Sequence, residues 1–253
     1  MILIKNTSNL IISLLISVII LFSFKCNAEF FEDISNMLPD QEPRLSYGVG
    51  VADFNKDSQY EFIVTGFKYP NLALSYNEGK LENIIDDPLF SDPTSSTIGV
   101  AACDVDGDGN EELYFLNTDT YSGRKKYSDR LLKYSNGRIT DIFEDNIDPN
   151  DLNLTAGRSV VCVDRLGQGK YATYVANYGG PTRFYEFADN KIRDIAPLLG
   201  IDRITGGRAV VAGHILTKNM DIFAANERDS NFLYLNDNGK FKNVAKKYHI
   251  EDR

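Results

Sequence analysis

The sequence has no tryptophan and only two histidines among its 253 residues. His214 and His249 lie outside any spacing that forms a zinc site or activates a nucleophile, and GxSxG, HExxH and phosphate-cradling loops do not occur. We therefore predict that the protein is not an enzyme. One enzymatic alternative stays open, a glycosidase or lyase in which an Asp/Glu pair from separate repeats performs the chemistry.

Basic charge is also scarce, with 27 Lys and Arg against 36 Asp and Glu and a formal net charge of −9. Such a surface disfavours nucleic acids and anionic membranes as partners, and it suits the binding of cations. The net charge does not indicate a fold.

Long apolar runs are confined to the N-terminus. Lys5 precedes an apolar run over residues 10–24, and Cys26-Asn27-Ala28 provides small residues for cleavage. The run is short for a membrane-spanning helix, which needs about 20 residues. We predict a signal peptide over residues 1–28, a secreted extracellular protein, and no membrane span after cleavage. An uncleaved signal anchor is the alternative.

Cysteine is rare as well. Cys26 would leave with the signal peptide, so that Cys103 and Cys162 remain. Two cysteines are too few for a disulfide framework. Each lies in an apolar strand of a neighbouring repeat, so the pair is either one disulfide or two buried small side chains.

The most informative stretch is an acidic loop, Asp104-Val105-Asp106-Gly107-Asp108-Gly109-Asn110-Glu111-Glu112. A Ca²⁺ ion needs about six to eight oxygens at roughly 2.3–2.6 Å. Alternation points the acids at 104, 106 and 108 inward, Asn110 offers its backbone carbonyl, and Glu112 closes the shell. Because a strand and not a helix follows, we predict a calcium-binding hairpin rather than an EF-hand. A solvated acidic turn is the alternative.

The same spacing recurs upstream. The predicted ligands of this earlier loop are Asp53, Asn55, Asp57, Gln59 and Glu61. Both loops follow a small apolar strand opened by glycine, at 48–52 and 99–103. Two more glycine-led strands, at 157–162 and 207–212, precede loops that have lost most of their acids. The sequence therefore predicts two calcium-competent loops and two degenerate ones.

A second motif, apolar-x-Asp/Asn-Ile or a close variant, recurs after hairpin turns that commonly contain Asn-Gly. Its copies lie at 31–34, 81–84, 139–142, 192–195 and 241–244. Four strands then fill a period of roughly fifty residues, with repeats at 47–85, 98–143, 156–196 and 206–245. Such a period predicts an all-β β-propeller with about four four-stranded blades over residues 29–253. A long β-sandwich is the alternative, and it gives no reason for a fixed period.

Three stretches of the repeats are distinctive: GVAACDVDGDG at 99–109, AGRSVVCVD at 156–164 and NFLYLN at 231–236. They resemble the cartilage acidic protein family, whose repeats are of the FG-GAP (VCBS, integrin α-like) type. The resemblance implies a secreted, calcium-binding propeller of seven blades that acts in the extracellular matrix or at cell surfaces through protein contacts. Because the outer-strand motif has five copies and the glycine-led strand only four, we expect this chain to supply the first blades of a longer ring.

The remaining predictions concern single sites. Asn153 opens an N-glycosylation sequon and is predicted to carry a glycan in a secreted protein. Arg158 and Arg208 stand at matching repeat positions and are expected to pair with acids across blades. Basic residues 124–126 are predicted to lie in a solvated loop, with a partner contact as the alternative. Without tryptophan, and with tyrosines that do not recur in register, a carbohydrate-binding propeller ranks second to a protein-binding one.

Overall fold

The computed structural model describes residues 32–38 and 43–252. The predicted signal peptide lies outside this range. Within the described ranges, no helix has the length and apolar character needed to cross a membrane. The chain divides into two units, Met1–Asn36 and Met37–Arg253. In the first unit, the predicted strand at 31–34 is wrong for its described part, because Glu32 to Ile34 belong to no strand and a 3-10 helix begins at Ser35.

The second unit is built from antiparallel strands. The strands are β1 (Val49–Ala52), β2 (Glu61–Val64), β3 (Leu72–Asn77), β4 (Lys80–Asn83), β5 (Thr97–Cys103), β6 (Glu112–Asn117), β7 (Arg130–Ser135), β8 (Arg138–Asp141), β9 (Gly157–Val163), β10 (Ala172–Pro181), β11 (Arg183–Ala188), β12 (Lys191–Asp194), β13 (Ile204–Gly213), β14 (Asp221–Asn226), β15 (Phe232–Asp237) and β16 (Lys240–Asn243). Each group of four follows the predicted order from inner glycine-led strand to outer strand.

The all-β prediction is confirmed, and the unit is a partial β-propeller. The first blade is the sheet β1–β4 and the second is β5–β8. The third and fourth blades are joined, because β10 continues past its pairing with β9 and pairs with the start of β13. The inner strands approach closely: a Cβ on Gly48 would lie 2.9 Å from the Cα of Gly99 in the next blade. Glycine at the head of these strands permits that approach.

Short helical turns follow the outer strands, and the sequence analysis missed them. They are α1 (Pro88–Ser91), α2 (Ile142–Asn146), α3 (Ala196–Leu199) and a 3-10 helix at Ala245–Tyr248. In the last three blades the acid or amide of the recurring motif explains their position, whereas α1 has Asp87 as its N-cap. Oδ1 of Asp141 accepts N–H groups from both Leu131 in β7 and Phe143 in α2, each at 3.1 Å. Asp194 and Asn243 make the same pair of bonds in the next two blades.

The core lies between successive blades. In β6 every side chain is buried, because alternate residues face opposite neighbours. Phe115 packs against Phe90 of α1, on the side that faces the first blade, with ring centroids 5.4 Å apart. Tyr114 faces the third blade and stacks on Tyr185 at 6.0 Å. A blade buries both faces only when it has a neighbour on each side, which is how a propeller forms one core from repeated sheets.

A buried ion pair fixes the long connection between β6 and β7. Lys125 Nζ contacts the carboxylate of Asp129, and both side chains are fully buried. Asp129 also accepts hydrogen bonds from the Tyr114 hydroxyl at 2.7 Å and from the Asn117 backbone N–H at 2.8 Å. The prediction of a solvated basic loop at 124–126 is therefore wrong for Lys125. Lys126 is exposed as expected.

The ion pair gives a stability prediction. Lys125→Ala would leave the Asp129 carboxylate buried without its counter-charge, so we expect the free energy of unfolding in urea to fall by about 3–5 kcal/mol. The matched control, Lys126→Ala at the exposed neighbouring position, should change it by less than about 0.5 kcal/mol. Equal, small losses in both variants would show that Lys125 does not neutralise a buried carboxylate.

Candidate metal centre

The acidic loops connect inner strands to second strands, and their first aspartate holds the turn. In the second loop (104–112), the Asp104 carboxylate accepts backbone N–H groups from Gly107 at 2.7 Å, Asp108 at 3.1 Å and Gly109 at 2.8 Å. Gly107 and Gly109 have φ angles of +81° and +86°. Left-handed backbone costs other residues roughly 1–2 kcal/mol, so glycine suits both positions.

The second loop gathers the predicted acids. Carboxylate oxygens of Asp104, Asp106 and Asp108 all lie within 4.8 Å of one another, which makes them a group that could hold a metal ion. Asn110 bonds to this group, since its backbone N–H and its side-chain amide donate to Asp108 Oδ1 at 2.9 and 2.8 Å. In the described part of the chain, this is the one three-acid group of that kind.

Glu112 is the first residue of β6 and is buried below the loop. Its Oε2 accepts the backbone N–H of Val105 at 3.0 Å. Its Oε1 is buried and accepts no hydrogen bond from the described residues. Burial raises the pKa of Glu112 to about 7. A buried carboxylate oxygen that accepts no hydrogen bond, beside three more carboxylates, offers the oxygen ligands that fit a hard divalent cation.

A lysine already supplies positive charge to this group. Lys133 of β7 contacts Asp106 through Nζ, which also lies 2.7 Å from Asp108 Oδ2 and 3.2 Å from Glu112 Oε1. Although burial opposes both shifts, these contacts raise the pKa of Lys133, and with Asn110 they lower that of Asp108 to about 2. The sequence did not indicate Lys133, because this residue lies outside the second loop and reaches the acids only through the pairing of β7 with β6.

The first loop (53–61) has the same frame but no counterpart of Lys133. Glu61 Oε2 accepts the Phe54 N–H at 3.0 Å, as Glu112 does in the second loop. Asp53 Oδ1 and Glu61 Oε1 are both buried without a hydrogen-bond donor from the described residues. Ser75 of β3 stands at the position that Lys133 has in β7, as the strand pairing of the two blades shows.

The other three predicted ligands of the first loop bond mainly to one another. Asn55 Oδ1 accepts the Asp57 N–H at 2.9 Å, and Asp57 Oδ1 accepts the Gln59 N–H at 2.8 Å. The glycine positions of the second loop are taken by Lys56 and Ser58, which have φ angles of 64° and 70°. The first loop therefore holds the same turn with residues that favour it less.

The two degenerate loops keep the turn without the acid cluster. In the third loop (164–169), Asp164 accepts N–H groups from Gln168 at 3.0 Å and Gly169 at 2.7 Å. In the fourth loop (213–220), Asp221 at the position of Glu112 accepts the Leu216 N–H at 2.7 Å. A carboxylate that accepts backbone N–H groups therefore stabilises the turn even where no metal site is predicted. The first two loops differ from the degenerate loops in their additional acids and in their buried carboxylate oxygens that accept no hydrogen bond.

Covalent and hydrogen bonds link the loops of successive blades. Cys103 and Cys162 form a disulfide between β5 and β9, with Cα atoms 6.1 Å apart. Closing a loop of this separation, 59 residues, stabilises the fold by about 4 kcal/mol on the chain-entropy account. Next to it, the Tyr171 N–H donates to the Asp104 carbonyl at 2.9 Å. The second loop is therefore anchored to the third blade.

Asn153, the predicted glycosylation site, lies in the core. Its side chain is fully buried, and Nδ2 donates to Asp129 at 2.7 Å and to Asn177 at 3.1 Å. An N-glycan is attached through that nitrogen, so this geometry is incompatible with a glycan on Asn153 in the folded chain. A three-residue sequon does not record whether tertiary structure covers its asparagine.

This placement predicts that folded protein secreted from eukaryotic cells carries an unmodified Asn153. Peptide mass spectrometry after glycosidase treatment in heavy-oxygen water should show no deamidation mark at that residue. Asn153→Ala should lower the free energy of unfolding by about 1–3 kcal/mol, because Asn177 loses its partner. A marked Asn153 in soluble, cooperatively folding protein would contradict the buried placement.

Comparison with known proteins adds family relationships to this geometry. A family described as "FG-GAP-like repeat" matches residues 53–115, a range that contains both acidic loops. Cartilage acidic protein 1 of Mus musculus and that of Xenopus tropicalis are each 41% identical to this chain over 240 residues. The Homo sapiens protein of the same name is 40% identical over 240 residues.

These alignments cover 84% of this chain and 36–37% of each relative. The chain thus spans little more than a third of the length of the relatives that it matches. The resemblance of this chain to the cartilage acidic protein family is confirmed over 84% of its length.

Proposed function

We propose that this chain is the calcium-binding part of a secreted, extracellular protein-interaction propeller of the matrix or cell surface. Its relatives are named as acidic cartilage proteins, and a shortage of basic residues suits a cation-rich extracellular setting. The full ring of seven blades, to which these blades would belong, is part of the proposal.

The observation that carries the calcium assignment is a buried glutamate oxygen at the same place in two loops. Glu61 Oε1 and Glu112 Oε1 are buried and accept no hydrogen bond from the described residues, and of the two Glu112 Oε1 has an ion-pair partner, Lys133 Nζ at 3.2 Å. Leaving such an atom unpaired costs roughly 1–3 kcal/mol or more for a charged group, unless an ion occupies the site. Asp104, Asp106, Asp108, Asn110 and Glu112 would hold one ion, and Asp53, Asn55, Asp57, Gln59 and Glu61 the other.

Bound calcium would neutralise the acids and stiffen the turn below each inner strand. The second loop is anchored to the third blade by the disulfide and the Tyr171–Asp104 hydrogen bond. A more rigid second loop would therefore also restrict the movement of the second blade relative to the third. A pre-organised ring loses less conformational entropy when it binds a partner.

The enzymatic alternatives gain no support from the carboxyls whose pKa is raised by burial. Glu61, Glu111 and Glu112 belong to the loops. Asp141 caps α2 and pairs with Arg130. Each has a structural or ion-binding use. The lectin-like alternative likewise has no observation in its favour, so protein contacts remain the proposal.

Glutamate-to-glutamine substitutions separate metal binding from loop folding. Glu112→Gln and Glu61→Gln keep the shape and the backbone hydrogen bond but remove the charge that a cation needs. Calcium at a hundredfold excess over Kd should stabilise a site by about 2.7 kcal/mol. We expect each variant to lose roughly half of the calcium-induced rise in Tm, and the double variant nearly all of it.

The control for this experiment is Glu144→Gln, the same chemical change at an exposed residue of α2. It should keep the wild-type response to calcium. Wild-type protein that melts at the same temperature in calcium and in chelator would contradict the metal assignment. So would a double variant that keeps the full calcium response.

Lys133 should compete with calcium in the second loop, because its ammonium lies among the same oxygens. Two like charges about 4 Å apart repel by roughly 4 kcal/mol at an effective dielectric constant of about 20, although lysine can swing away. We therefore expect Lys133→Gln to bind calcium at least about tenfold more tightly by calorimetry. Lys218→Gln, an exposed change in the fourth loop, is the control; equal affinity in both variants would contradict competition.

A further inference from the structure

A cavity of about 560 Å³ lies at the other end of the inner strands from the acidic loops. We call it the mouth cavity. All four blades contribute to its lining, which includes Tyr47, Phe67, Ile98, Tyr121, Arg158 and Arg208. A place where residues from every blade converge is where a propeller presents its central channel.

Two arginines and two tyrosines form one stack at this cavity. The Arg158 guanidinium lies 4.9 Å from the Tyr121 ring centroid and 5.4 Å from that of Tyr178. Arg208 lies 5.7 and 5.0 Å from the same rings, and it donates to the Tyr121 hydroxyl at 2.8 Å. Stacking on aromatic rings holds the guanidinium planes in place and leaves donors for another acceptor.

The charge of this stack is only partly balanced. Arg208 pairs with Glu227 of its own blade, and Arg228 shares that glutamate. For Arg158 the described residues provide no ion-pair partner; it donates to the backbone carbonyls of Gly157 and Tyr121. Its Nε is buried without an acceptor. The expectation that both arginines pair with acids across blades is therefore wrong.

Burial, followed by the charge of Arg208, lowers the pKa of Arg158. Both causes disfavour two guanidinium ions held side by side, and an anion between or beside them would relieve both. Asp119 also lines the cavity, where its carboxylate accepts the backbone N–H of Lys126 at 3.1 Å and forms no ion pair with either arginine. Arg158 therefore keeps an unpaired charge and a buried Nε–H without an acceptor, which an external anion would satisfy in a protein that is acidic overall.

We propose that the mouth cavity binds a peptide carboxylate, with the neighbouring apolar side chain of that peptide packed against Tyr47, Phe67 and Ile98. Guanidinium forks match the planar geometry of carboxylates. The carboxylate comes from an Asp or Glu side chain or from a free C-terminus of a partner. This inference deepens the proposed protein-interaction role and rests on it for its biological use, while the binding itself does not depend on the calcium loops.

The geometry favours a peptide over a sulfated glycan. A sulfated glycan spreads many negative charges along its chain, and a protein with a net charge of −9 repels such a polymer at long range. One guanidinium pair beside an aromatic and aliphatic wall offers a place for a single anion and an apolar group. A short acidic and apolar peptide segment has that composition.

The test is an NMR titration of the arginine Nε–H signals of the wild-type chain in calcium. One probe is acetyl-Phe-Asp-amide, with its neutral isostere acetyl-Phe-Asn-amide as control. A second is acetyl-Phe-Ala with a free C-terminus, with its amide as control, so that the two pairs distinguish the two sources of carboxylate. We expect at least one anionic probe to shift the Arg158 and Arg208 signals together, with a Kd on the order of 1 mM and at least about tenfold weaker binding of its neutral control.

Arg158→Gln and Arg208→Gln should each weaken binding of the anionic probe by at least about tenfold. Arg193→Gln, an exposed change on β12, should not. Equal binding of anionic and neutral probes, or no shift with either anion up to about 20 mM, would overturn the proposal even if the arginine variants fail to fold. A heparin-derived hexasaccharide that shifts these signals when neither peptide does would also overturn it. The calcium assignment has its own melting test, so failure of either leaves the other standing.

Discussion

In the second, third and fourth blades, the turn that leads from the inner strand to the next strand depends on one carboxylate that accepts several backbone N–H groups. Asp104 does this in the second loop and Asp164 in the third, although the third loop has lost the other acids. Backbone donors in such a tight turn have no sheet partner, so a side chain must satisfy them. The inner strands, their close packing and the inter-blade core all require this turn.

The calcium binding that we propose would be added to that frame. Two loops have alternating acids and a buried glutamate oxygen that accepts no hydrogen bond from the described residues. In the second loop, the ammonium of Lys133 partly neutralises these acids. The second loop can therefore fold without an ion, and bound calcium would determine how rigid the first two blades are. At the other strand ends, the arginine–tyrosine stack leaves positive charge for a partner.

Local sequence patterns predicted most of the fold. Alternation, glycine-led strands and Asn-Gly turns located the strands of all four blades, and the acid spacing located the loops. The sequence predictions failed for interactions between residues that are distant in the chain or that depend on burial. Strand pairing brings Lys133 to the acid cluster, and Lys125 forms a buried ion pair with Asp129. Asn153 joins the same network from another repeat. The pairing of the end of β10 with the start of β13 likewise depends on the contact between two blades, and the sequence of one repeat does not indicate that contact.

Calcium in the first and second loops would be seen in a crystal structure of protein grown in about 10 mM CaCl₂, a concentration above weak extracellular Kd values. We expect anomalous density in both loops, with Glu61 and Glu112 oxygens among the ligands at roughly 2.3–2.6 Å, and Lys133 moved away from Glu112. Loops without ions, with Lys133 still bonded to Asp106 and Asp108, would contradict the calcium assignment.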